Sequence, residues 1–358
     1  MVVDPDVREA RAALVMINPH PYNAEAPARA LGSDITSVRE HYVRSNFDLP
    51  QHDGLLTVAG AVDQPLALTL GDLRAMPAVE RTVTLECAGN GRLGLRPLPT
   101  GEPWGGGAVS TAVWRGARLS DVLAQAGPHA AAVEASFTGA DSGTYHQTPV
   151  LPETGDELAF VRSLALRHAA DRQAEILVAY EMNGEPLTPD HGSPFRLVVP
   201  RWFAVASVKW LQRIDVLTHP FSGEFQTGHY MYEWPDRPHE PVTYVRVRAR
   251  VTNPAPGAVI PAGTYTVRGK AWSGTGPVTG VEVSLAGGGE DWKQAKVEPA
   301  AGPYQWQSWS FSWEATPGRH PLRARATDAA GNVQPDVPPW NRLGYGNNAV
   351  EVQYVDVV

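Results

Sequence analysis

Residues 82–92 read TVTLECAGNGR. Apolar and β-branched residues fill the first half, which predicts a strand ending on Cys87. The chain then enters Ala88-Gly89-Asn90-Gly91, a turn whose glycines let the backbone come close to a ligand, with Arg92 just beyond. Cys87 is the single cysteine of the chain, so no internal disulfide can form. A lone cysteine is by habit a small buried hydrophobe. Here Arg92 is near enough to favour thiolate, the metal-binding form. One cysteine does not complete a four-ligand zinc site, so a metal bound here has to bring its other soft ligands on a cofactor.

Outward from this stretch, LLTVAGAV (55–62), AAVEASF (131–137), EILVAYEM (175–182), RLVVP (196–200) and SVKWLQRIDVL (207–217) are expected as strands. SDVLAQAG (120–127) is expected as a short helix with Ser120 as N-cap and Gly127 closing it. Asn183-Gly184 marks a tight hairpin turn. The first 50 residues are polar and proline-rich and are expected to be irregular. Near Glu240 the pattern changes to alternating strands: TYTVRGKAW (264–272), TGVEVSLAGG (279–288), WQSWSFSWEA (306–315), HPLRARATD (320–328) and NAVEVQYVDVV (348–358). These are separated by Gly and Pro turns, the pattern of an immunoglobulin-like sandwich. The expected fold is therefore α+β over residues 1–240, followed by an immunoglobulin-like β-sandwich over 241–358.

The 358 residues are 43% hydrophobic and 19% charged, with 34 glycines and 32 prolines, which fits a folded chain rich in turns and short strands. The net charge of −8 offers no clustered basic footprint for nucleic acid. A small anion remains a suitable substrate if a local cationic pocket exists. The start, MVVDPDVREARAALVMINPHPYNAE, carries neither a signal-peptide pattern nor a membrane span. The expected location is the cytoplasm for the chain as given, or the periplasm if a leader has been removed.

TLECAGNGR resembles the molybdenum-binding segment of the sulfite oxidase family. NPHPYNAE (18–25), HYVRSNFDLP (41–50), WRGARLSDVL (114–123), AYEMNGEPLTPDHGSPFRLVVP (179–200) and SVKWLQRI (207–214) resemble further segments of that family, in the same order. GKAWSGTGPVTGVEVSLAGGGEDW (269–292) and RATDAAGNVQPDVPPWNRLGYGNN (325–348) resemble its carboxy-terminal domain. The resemblance implies molybdenum held by a molybdopterin dithiolene and by Cys87. It assigns His191, Arg196, Ser207 and Lys209 to the pterin and its phosphate, a task that suits the planar fork of arginine. Asp141 in TGADSGTY matches a pterin-contacting acid, although the spacing around it differs. Arg44 and Asn46 in YVRSNF match the active-site arm, with asparagine where the family often has histidine. Arg44 and Arg92 would bind the substrate anion. Tyr230 in TGHYMYEW stands at the place of the active-site tyrosine, with Tyr232 as the alternative.

Two departures stand out against the family pattern. Gly91 replaces an arginine. The carboxy-terminal arginine that would complete the anion pocket falls one place early, at Arg342 in WNRLG, where a loop could still carry it to the site. The implied activity is two-electron oxidation of sulfite to sulfate, with a homodimer formed through the second domain. No heme signature is present in this chain, so electrons would pass to an external acceptor, cytochrome c or oxygen. The alternatives are another molybdopterin oxidoreductase, such as a sulfoxide or nitrate reductase, or a non-catalytic binding protein on the same fold.

Overall fold

The structure, a computed structural model, describes residues 9, 11–144, 157–287 and 291–358. Tyr145 of the TGADSGTY segment and Gly288 at the end of one expected strand lie outside the described residues. The amino-terminal part is more strand-rich than expected. Among the described residues its longest α-helix is Leu119–Ala126, with shorter α-helices at Leu70–Ala75 and Leu166–Ala169.

Two five-stranded sheets make up this part. One is antiparallel: Ala78–Glu86 pairs with Val109–Arg118, which pairs with Leu177–Met182, flanked by Glu185–Pro186 and Arg196–Val198. The other runs in the order Leu66–Thr69, Leu55–Gly60, Leu211–Leu217, Glu134–Thr144, Glu157–Ala165, with one parallel pair between Leu55–Gly60 and Leu211–Leu217. Asn183 and Gly184 both have positive φ and form the expected hairpin between Met182 and Glu185.

Three expectations are corrected. The first 50 residues include a hairpin, Val15–Pro19 with Tyr22–Glu25. The helix near 120 starts at Leu119 with Arg118 at the N-cap, so Ser120 lies inside it, while Gly127 closes it in the left-handed region as expected. The strand expected from Ser207 begins only at Leu211, because Trp210 takes a positive φ and breaks the run. Ser207 and Lys209 therefore sit on a turn, free of strand alternation.

The second part stacks a four-stranded and a five-stranded sheet. Strands Arg248–Asn253, Gly263–Trp272 and Gln307–Ala315 are successive antiparallel neighbours in the first sheet. Val278–Ser284, Gly318–Asp328 and Val352–Val357 are successive neighbours in the second. Inward-facing Val267, Val281, Trp309, Leu322 and Val355 fill the space between the sheets. Each such side chain contributes roughly 1.5–3 kcal/mol by burial. Trp272, Trp306, Leu343 and Tyr345 leave this core and pack into the larger amino-terminal one.

The two parts are also joined by polar contacts just before Cys87. The buried Glu86 carboxylate accepts from Trp272 Nε1 at 2.8 Å, from Asn90 Nδ2 at 2.8 Å and from Arg248 at 3.2 Å. Arg248 also pairs with Glu351.

Candidate active site

Cys87 follows the last residue of strand Ala78–Glu86 and is 7% exposed. Its N–H donates to the Ala108 carbonyl, and its own carbonyl accepts from Asn90 N–H, both at 2.9 Å, which pins the turn. The glycines of this turn serve a different need from the one expected. A side chain on Gly89 would meet the Arg92 guanidinium at about 2.5 Å, and Gly91 takes a φ of 76°. The space beside Gly89 is thus filled by Arg92 and not left for a ligand. Burial pushes the Cys87 thiol pKa up, while Arg44, the Gly89 N–H and Arg92 pull it the other way.

The thiol opens on a cavity of about 70 Å³. Its walls carry nine of the expected residues: Arg44, Asn46, Cys87, Asp141, His191, Arg196, Ser207, Lys209 and Tyr230. Segments up to 186 residues apart in sequence, from Arg44 to Tyr230, therefore meet around one sulfur.

At one end Arg196 is buried and donates to the carbonyls of His191 at 3.2 Å, Ser207 at 2.9 Å and Leu197 at 3.3 Å. Burial pushes its pKa down to about 10, leaving it charged. Lys209 Nζ donates to Ser45 Oγ at 2.8 Å and to the Asp190 carbonyl at 2.9 Å. Burial first, and then Arg196, push its pKa down to about 7. Asp141 faces this lysine, and burial pushes its carboxyl up to about 7. His191 Nε2 is 3.1 Å from the Val38 carbonyl, and burial with Lys209 and Arg196 nearby drives its pKa down to about 3, so the ring is neutral. The carboxylate of Asp190 turns away to pair with Arg11 at 2.7 Å.

At the other end Arg44 donates to Asn46 Oδ1 at 2.6 Å and to Asn23 Oδ1 at 3.3 Å. Tyr230 adopts a φ of 59° and stacks on Tyr345 with ring centres 5.2 Å apart. Tyr232 stacks on Trp234 instead and does not line the cavity, which separates the two candidate tyrosines.

Two expected residues are not among the lining. Arg92 is buried behind the wall, where Nε donates to the Leu343 carbonyl at 3.0 Å and a terminal nitrogen to the Glu102 carbonyl at 2.6 Å. Its guanidinium lies 5.6 Å from the Tyr345 ring centre. Arg342 is placed elsewhere. It is 44% exposed and bound by both Nε and a terminal nitrogen to Glu233, at 2.5 and 2.7 Å. The one-residue shift gives this arginine to the Glu233 carboxylate and leaves it outside the cavity lining.

The sequence reading missed His41, which lines the cavity fully buried with Nε2 lacking a partner. It lies three residues before Arg44, in the segment already quoted, and carried no signal of its own. Asp141 Oδ1 is also buried without a partner. Buried Arg196, the part-buried Arg44 and Lys209, two orphaned polar atoms and a single soft sulfur suit a polar, phosphate-bearing cofactor that delivers a soft metal with most of its ligands. No cluster of three His, Cys, Asp or Glu able to hold a metal ion exists among the described residues.

Comparison with known proteins agrees with this geometry. Residues 46–225 match the family model for the oxidoreductase molybdopterin binding domain, and residues 240–354 that for the Mo-co oxidoreductase dimerisation domain. The chain is 36% identical to mitochondrial sulfite oxidase of Mus musculus over 97% of its length and 66% of that protein's. It is 36% identical to sulfite oxidase of Gallus gallus, over 90% of this chain and 74% of the relative. Nitrate reductase of Hordeum vulgare is 34% identical over 96% of this chain and 42% of its own length. The chain thus spans about two thirds of the mammalian relatives it matches. The crystal structure of the sulfane dehydrogenase SoxCD from Paracoccus pantotrophus superposes with a TM-score of 0.82 at 26% identity, covering 99% of this chain and 92% of that one. From its two matched domains and its similarity to these relatives along nearly its whole length, the chain belongs to the sulfite oxidase family of molybdopterin oxidoreductases.

Proposed function

We propose that this protein oxidises sulfite to sulfate at the cavity around Cys87. The observation that carries the reading is the convergence of a buried thiol with Arg44, Arg196 and Lys209 in one cavity. Sulfite and water yield sulfate, two protons and two electrons, and the electrons leave to an external acceptor such as cytochrome c or oxygen. Molybdenum on its pterin, when bound, supplies the oxygen-transfer and two-electron chemistry. Cys87 anchors the metal. Arg196, Lys209, Ser207 and neutral His191 hold the pterin phosphate, with Asp141 and Asn46 on the pterin itself. Arg44 at the cavity wall, and Arg92 behind it, orient the substrate anion and compensate its charge, and Tyr230 closes that end.

Function divides with the chain near residue 240, catalysis before it and pairing of two chains after it. The two stacked sheets support an immunoglobulin-like description of the second part, and a symmetric homodimer is the commonest assembly. Among the described residues no helix is long and apolar enough to cross a membrane. Nitrate reduction is the second reading, favoured by the 34% identity to the barley enzyme.

Metal analysis combined with steady-state assays on sulfite and on nitrate tests the assignment. About one molybdenum per chain and sulfite-dependent reduction of cytochrome c or oxygen are expected. Metal-loaded protein that reduces nitrate and leaves sulfite untouched would reverse the order of the two readings. Light scattering checks the dimer, and a monomer at all practical concentrations contradicts it.

A further inference from the structure

Arg162 carries a buried charge that the roles above leave unused. It lies on strand Glu157–Ala165 with 2% of its surface exposed. One terminal nitrogen donates to the Phe225 carbonyl, and Nε has no partner. No carboxylate pairs with it among the described residues, and the groups that act on its charge are the phenols of Tyr230 and Tyr345. Burial lowers its pKa only to about 10, so it stays positive at neutral pH. A guanidinium without a counter-ion is costly inside a protein, and such a cost persists where a charge is needed.

Its position points to that need. Strand alternation puts Phe160 and Arg162 on the same face, and Phe160 lines the Cys87 cavity. The Arg162 guanidinium is 5.8 Å from the ring centre of Tyr230, another lining residue. Arg92 lies 5.6 Å from the ring of Tyr345, which stacks on Tyr230. The stacked phenols are therefore bracketed by two buried arginines from unrelated segments. Arg342, the expected third cation, is spent on Glu233 at the surface.

We propose that Arg162 is a specificity-determining cation of the anion pocket, acting through the Tyr230–Tyr345 wall to favour a doubly charged oxyanion over a singly charged one. This rests on the anion-oxidising reading of the site. A fixed charge interacts with a dianion twice as strongly as with a monoanion at the same place. If removing it weakens a monoanion about fivefold, a dianion at the same place should be weakened by the square of that factor, roughly 25-fold.

The test uses the molybdenum-loaded full chain with Arg162→Gln and Arg162→Lys. Equilibrium binding of sulfate and of nitrate is measured beside sulfite kinetics, after circular dichroism and metal content are matched. Arg162→Gln should lose sulfate binding far more than nitrate binding, with KM for sulfite rising in step and kcat changing less than about threefold. Arg162→Lys keeps the charge and should keep the preference for sulfate. Equal losses for both anions, unchanged sulfate binding, or wild-type protein that binds neither anion would overturn the proposal. If the glutamine variant does not fold, the lysine variant decides: retained preference supports an electrostatic role, and its loss assigns Arg162 to holding the Phe225 carbonyl. Anion binding is read without turnover. A protein that shows this charge dependence yet does not oxidise sulfite removes the reaction assignment and leaves the role of Arg162 standing.

Discussion

At the Arg196 end of the cavity the cations are fixed mainly by backbone carbonyls drawn from residues 190–207, with Ser45 Oγ adding one contact to Lys209. At the Tyr230 end the charges come from distant segments: Arg44 on the amino-terminal arm, Arg92 on the cysteine turn and Arg162 on a sheet strand. Cations and the carbonyls that hold them coming from one short stretch form a locally prebuilt cradle, which suits a cofactor that stays in place. A pocket assembled from separate elements can change one charge at a time, and it is there that the two departures expected from the sequence fall, Gly91 in the cysteine turn and Arg342, which pairs with Glu233.

The largest expected effect is at the sulfur that serves both ends. Cys87→Ser presents a harder, poorly donating oxygen, so sulfite turnover should fall to background while pterin bound at the Arg196 end is retained. Pterin content and steady-state rate measured on one preparation check this, and a fully active serine variant would remove Cys87 from the chemistry. Next in size are Arg44→Gln and Arg92→Gln. A charge-assisted hydrogen bond contributes about 1.5–3 kcal/mol, so kcat/KM for sulfite should drop roughly 10- to 100-fold for Arg44→Gln, mostly through KM, and by less for Arg92→Gln, whose donors are held by the Leu343 and Glu102 carbonyls and whose charge acts through the cavity wall. Wild-type kinetics in both variants would confine the electrostatics of the site to the cofactor end.

A smaller effect concerns pH and the Arg196 end. Burial holds the Asp141 pKa at about 7, above its unfolded value near 4, so the folded protein keeps a proton that the unfolded chain releases. The stability due to this group is complete below about pH 4 and is lost as pH rises toward 7. Lys209, pushed down to about 7, acts in the opposite sense, its contribution present above about pH 10.5 and lost as pH falls toward 7. In cofactor-free protein, Asp141→Asn should flatten the decline in melting temperature between about pH 4 and 7. An unaltered slope would show that another group governs it. The smallest effect is expected from Arg342→Gln. Its ion pair is partly exposed and contributes about 0–1 kcal/mol. Stability should shift by no more than that, and sulfite kinetics should stay within about twofold. A tenfold rise in KM would return Arg342 to the pocket.

How far the sequence could be read follows the same division. DHGSPFR and SVKWL are short segments whose residues act together locally, and His191, Arg196, Ser207 and Lys209 all reach the cavity. The Asn183-Gly184 hairpin and the Gly127 helix end were legible because single residues dictate a positive φ there. Strand Val109–Arg118 was not, since Gly116 interrupts its pattern. That glycine is needed because a side chain would strike the Val178 carbonyl of the neighbouring strand at about 2.1 Å. Strand Glu157–Ala165 hid for a related reason. It buries Arg162 and Ser163, so polarity does not mark its outer face. Arg342 turned on its partner Glu233, 109 residues away, which no local pattern could reveal.

The Glu86 contact bears on how the chain can be cut. The change of pattern near residue 240 looks like a seam between separable modules, yet the residue before Cys87 draws Arg248 and Trp272 from beyond it. A truncation at 240 would leave the buried Glu86 carboxylate beside Cys87 with Asn90 but without its cation, and losing one partner of such a pair costs about 3–5 kcal/mol. The catalytic half is therefore not a portable unit. A fusion or transplant that keeps the cysteine turn intact has to carry Arg248 and Trp272 with it.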